Sequence, residues 1–77
     1  MNCDFLIVSS VTYGLKAKAE LEKNGISAKV EKIKNVSSLG GCGYGVKVSK
    51  DVSGLARRYL NLAGIRVVEV MDCGAKR

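Results

Sequence analysis

The strongest nucleophiles in this chain are the thiols of Cys3, Cys42 and Cys73, and only Cys42 sits in unusual company. It lies in "SSLGGCGYGVKV", residues 37–48, among four glycines and ahead of an alternating apolar run. Either the backbone there needs shapes that glycine tolerates, or the thiol needs open space around it. The chain has no histidine, so a Cys–His pair or a Ser–His–Asp triad within it is excluded. Three widely spaced cysteines without a CxxC form neither a disulfide framework nor a zinc site. No metal and no cofactor is therefore expected. Cys3 and Cys73 read as small apolar residues at strand ends, which would pair only under oxidation. The thiols are expected reduced and the protein cytoplasmic.

Around that thiol the composition describes one small domain, residues 1–77, with a modest core. Its net charge of +6 favours acidic partners. The thirteen basic residues are spread along the chain and interleaved with seven acids, however, which argues against a nucleic-acid tail. The plainer reading is lysines on solvated faces. "MNCDFLIVSS" is too short and lacks the basic start of a signal peptide, and no apolar stretch reaches membrane-spanning length.

The elements that must position Cys42 follow from hydrophobic period. Residues 3–9, "CDFLIVS", are a continuous apolar run expected to form a buried strand. Thr12 can cap a helix over residues 13–24, closed by Gly25, with Gly14, Ala17 and Leu21 on one face and Leu15 off it. "ISAKVEKIK", residues 26–34, alternates as a half-buried strand, and residues 35–42 read as a loop. "YGVKVSK" alternates again, with Tyr44, Val46 and Val48 on one side. Asp51 or Ser53 then caps a second helix with the stripe Val52, Leu55, Ala56, Tyr59, Leu60 and Ala63. Gly64 ends it, residues 65–72 make the last strand, and a polar tail follows.

The halves match weakly at an offset of about 39 residues: Ala17, Leu21, Gly25 and Ile26 line up with Ala56, Leu60, Gly64 and Ile65. Two such units predict an α+β, ferredoxin-like βαββαβ fold. Its four-stranded antiparallel sheet would have order 4-1-3-2, with both helices on one face. That topology puts Cys3 and Cys73 near one sheet edge, and Cys42 at the other beside residues 9–13. A helix N-terminus there would stabilise a thiolate. The flanking glycines could turn N–H groups inward as an anion nest, and Ser9, Ser10 and Thr12 could donate hydroxyl hydrogen bonds to the same anion. The alternative, Cys42 as a filler in a loop of turn glycines, stays open from the pattern alone.

"SVTYGLKAKAELEKNGISAKV" followed by "GGCGYGVKV" resembles the family of short bacterial and archaeal selenium/sulfur carrier-like proteins, over roughly Phe5 to Val70. The most specific part is Gly41-Cys42-Gly43-Tyr44, together with Thr12-Tyr13 and Lys16-Ala17-Lys18. Family members often carry a proline in the linker before the motif, whereas "KNVSS" has none. The resemblance implies that Cys42 accepts sulfur or selenium, that Gly41 and Gly43 shape its loop, and that the partners are chalcogen donor and acceptor proteins.

The expected function is thus a carrier rather than a stand-alone enzyme, holding a persulfide or perselenide on Cys42. Lys16 or Lys47 would steer acidic faces or stabilise the anion. The alternative is a non-catalytic protein-binding or regulatory module with Cys42 structural, including a homodimer through an edge strand. RNA binding is disfavoured because Phe5 and Tyr44, the only strand aromatics, both read as core.

Overall fold

The computed structural model describes residues 2–36 and 39–73. The elements are β1 (Cys3–Val8), α1 (Val11–Lys23), β2 (Lys29–Val36), β3 (Gly41–Ser49), a 3-10 turn over Lys50–Val52, α2 (Ser53–Leu62) and β4 (Glu69–Asp72). The strands form one antiparallel sheet in the order β2-β3-β1-β4, which is 4-1-3-2 read from its other edge. This is an α+β fold compatible with a ferredoxin-like arrangement. The tail at 74–77 and residues 37 and 38 of the expected loop lie outside the described residues.

Apolar burial explains the layering. β1 is buried along its whole length because both of its faces are covered. Leu6 and Val8 join Val46 and Val48 of β3 in one cluster with Ala17 and Leu21 of α1 and Ala56 and Leu60 of α2. Both helices therefore pack on that one face. Gly14 lets α1 approach closely: a Cβ there would stand 3.1 Å from Val30 Cγ1. As expected Leu15 lies off the buried face, but Leu55, assigned to the α2 stripe, is exposed as well.

The two helices end alike. Gly25 and Gly64 adopt φ of 80° and 78°. In each case the next residue's N–H returns to a carbonyl in the last turn, Ile26 to Leu21 and Ile65 to Leu60, both at 2.9 Å. Each is a Schellman ending with a buried Leu–Ile pair. The sequence offset is thus a repeated helix stop. With the Ile26 and Ile65 N–H groups committed to the helix endings, neither strand begins there: β2 starts at Lys29 rather than residue 26, and β4 at Glu69 rather than 65. Before its ladder begins, the chain is already held to β1 by Val68 N–H donating to Ile7 O at 2.8 Å.

The second face is also apolar at its centre. Phe5, Ile7, Ile33 and Val36 are buried there, with Leu39, Val68, Met71 and Cys73 packed against them. A bulge makes this cluster, since Ile33 pairs with Gly43 but Val36 with Gly41, so β2 carries one extra residue. Without it, Ile33 and Val36 would face opposite ways.

Candidate functional site

Cys42 lies inside β3, as its second residue, not in a preceding loop. The run 35–42 reads as a loop because the bulge breaks the period of two, and because glycine is a poor strand former. Its glycines have a packing reason. A Cβ on Gly45 would meet Phe5 Cδ1 at 2.7 Å and Ile33 Cγ1 at 3.0 Å. One on Gly43 would meet Leu39 Cδ1 at 2.7 Å and Ile7 Cγ2 at 3.2 Å. The space those glycines leave on the second face is filled by the side chains of that cluster. Gly40 takes φ 67° in the turn, and Gly41 has open space around it.

By the pleat, Cys42 belongs to the opposite row with Tyr44, Val46 and Val48, at its outer end. Val8 pairs with Tyr44, so Cys42 stands at the sheet end where β1 finishes and α1 begins. The first turn of α1 covers Tyr44, whose Cβ is 3.7 Å from the site of a Gly14 Cβ. Cys42 lies one pleat further out. It is a free thiol and exposed.

The predicted supporting residues gather at this end without enclosing the sulfur. Ser10, not Thr12, caps α1: its hydroxyl accepts the Tyr13 N–H at 3.3 Å, which starts the helix at Val11. One amide expected to face an anion is therefore already occupied. Thr12 is exposed within the first turn. Ser9 and Tyr13 line a cavity of about 390 Å³ with Leu39, Arg66 and Val68, and Cys42 does not line it. Lys16 lies over the Tyr13 ring, 5.9 Å from its centroid. Gly41, Cys42 and Gly43 run as extended strand paired to β2, rather than as a nest.

Lys47 does not reach this end of the sheet. It shares the face of Gly43 and Gly45, and five residues along a strand place it roughly 17 Å from Cys42. The residues across the strand from Cys42 are instead the bulge pair 34 and 35, so Lys34 is the nearest cation by register. The alternating lysines of "KVEKIKN" were the available signal, obscured by the extra residue. A second group also escaped the sequence reading. Arg57, Arg58 and Asn61 of α2 line a groove of about 650 Å³ with Arg66.

The far end of the sheet is fastened. Cys3 and Cys73 form a disulfide with Cα atoms 5.5 Å apart, in place of two reduced apolar fillers. Their strands are neighbours, and sequence spacing alone could not show that the side chains meet. Beside them Asp4 and Asp72 face each other across β1 and β4. Lys50 Nζ bridges both carboxylates at 2.7 Å. Hydrogen bonds from Lys50 and then Ser53 hold the Asp4 carboxyl below its ordinary range, and the bonds to Asp4 and Asp72 raise Lys50 above its own. Ser53 is thus an Asp4 partner and not the α2 cap, and the Asp51 carboxylate accepts a hydrogen bond from Ser49 Oγ.

Among the described residues no helix is long and apolar enough to cross a membrane. No family model, no curated protein and no solved structure matches the chain.

Proposed function

We propose that this protein carries sulfur or selenium on the Cys42 thiol. The observation that supports the reading is the exposure of a free cysteine near the outer end of β3. Cysteine is among the most buried residue types, and a structural filler would be enclosed. The other two cysteines are joined to each other. In the transfer, the Cys42 thiolate attacks the outer sulfur of a donor persulfide. The donor S–S bond breaks, the donor leaves as a thiolate, and Cys42 holds the persulfide. An acceptor thiolate then attacks that outer sulfur and Cys42 leaves as the thiolate, with no net oxidation in either step. Selenium would follow the same course.

The proposal keeps the finer fold, a ferredoxin-like βαββαβ domain with right-handed crossovers, and a cytoplasmic setting. There the glutathione pool would set whether Cys3–Cys73 is closed. Its partners are donor and acceptor proteins.

One observation favours a second reading, a protein-binding or regulatory module. The second-face cluster accounts for Gly43 and Gly45 without any demand from the thiol. Treatment with glutathione persulfide, followed by intact mass, separates the two. A carrier gains one sulfur on Cys42, and Cys42→Ser abolishes the gain. A chain that stays unloaded, or loads equally as Cys42→Ser, belongs to the second reading.

A further inference from the structure

The groove beside α2 gathers more positive charge than any other concavity described. Arg57 and Arg58 occupy adjacent helix positions, and Asn61 follows one turn later on the same side. Across the groove the chain turns at Gly64, tied back to Asn61 O, and Ile65 is anchored on Leu60, which presents Arg66 from the extended segment. The wall carrying Arg66 is thus held by two backbone hydrogen bonds and a buried isoleucine. At the helix end of the groove Gly54 has nothing near its would-be Cβ, so the floor stays open.

No described carboxylate forms an ion pair with Arg57, Arg58 or Arg66, although acids elsewhere are taken up by Lys18, Lys23 and Lys50. Three like charges converging on one concavity repel one another, and a bound anion removes that cost. Guanidinium forks pair with phosphate oxygens two at a time, and Asn61 adds a neutral donor. A volume of about 650 Å³ suits a small ligand. We infer that this groove binds a small anion carrying two or more phosphate groups in series, such as a nucleoside polyphosphate or a free polyphosphate. The site is independent of Cys42, which does not line it.

Inorganic tripolyphosphate is the probe, titrated at low salt by calorimetry with amide chemical shifts followed in parallel. The expected result is saturable binding of one ligand per chain, with shifts centred on Gly54, Asn61, Ile65 and Val67. Arg57→Ala, Arg58→Ala and Arg66→Ala combined should weaken it by about tenfold or more. Removing the same charge elsewhere, with Lys29→Ala, Lys32→Ala and Lys47→Ala, should change it by less than about threefold. Circular dichroism checks both variants. If the triple arginine variant does not fold, Arg66→Ala alone and the wild-type shift map carry the test. Cys42→Ser should bind as wild type. The inference is overturned by non-saturating binding, by equal loss in the two charge variants, or by shifts centred elsewhere. A short single-stranded RNA binding over about tenfold tighter than tripolyphosphate would also overturn it, because the groove would then serve a nucleic-acid backbone.

Discussion

At the scale of single residues, the glycines around Cys42 divide by what their missing side chains would touch. Gly45 has the Phe5 ring and Ile33 in the space of a Cβ, whereas Gly41 has nothing within reach. Gly45→Ala should therefore cost about 1–3 kcal/mol in urea unfolding, as overpacking does. Gly41→Ala should stay within about 0.5 kcal/mol of wild type. Equal costs at both positions would mean that the motif's glycines serve backbone conformation and not the second-face cluster. The sequence marked the stretch by its glycines, but not which residues press against them. That depends on Phe5 and Ile33, which are remote in the chain and brought alongside by pairing on both sides of β3.

At the scale of elements, the helix stops were the most legible feature. Leu21-Gly25-Ile26 and Leu60-Gly64-Ile65 repeat in the sequence and build the same hydrogen-bonded ending in the structure. Gly25→Ala and Gly64→Ala should each lose roughly 1–2 kcal/mol, since both positions are left-handed. Gly54→Ala, in a helix and unobstructed, should gain up to about 1 kcal/mol. Thermal melts of the three variants check the ordering. The α1 core face was also legible, because a period near 3.6 needs no knowledge of partners; in α2 the same period found Ala56 and Leu60 but also took in Leu55 and Ala63, which are exposed. Strand limits were not. The bulge at 34 and 35 inserts one residue into β2, and that shift hid both the start of β3 and the placing of Lys34 across from Cys42. The groove arginines were hidden for a related reason: Arg66 joins Arg57 and Arg58 only once Gly64 has reversed the chain.

At the scale of the whole molecule, the two ends of the sheet do different work. One is fastened by the Cys3–Cys73 disulfide and by Lys50 between Asp4 and Asp72, while the other presents the free thiol. The disulfide closes a separation of 70 residues, so its reduction should lower stability by about 2–5 kcal/mol. Alkylation of Cys42 at the far end should keep its rate. The ion cluster sets a pH window. The Asp4 carboxyl is lowered by folding, so its contribution is present above the ordinary carboxylate range and is lost as pH falls through the folded value. Lys50 is raised, so its contribution is full below about 10.5 and is lost as pH rises through its folded value. The cluster's contribution should be level between those arms, and Lys50→Met should diminish both slopes in denaturant titrations against pH. Unchanged slopes would show that the cluster is not what the titrations sense.

The central claim concerns transfer, and the handover from Cys42 is its most direct test. Protein loaded with one sulfur would be isolated, mixed with an excess of a small acceptor thiol, and followed by intact mass. The account predicts that the acceptor takes the outer sulfur, Cys42 returns to the free thiol, and the same molecules load again. A persulfide that stays on the protein, or an acceptor left bonded to Cys42 through attack on the inner sulfur, would contradict it.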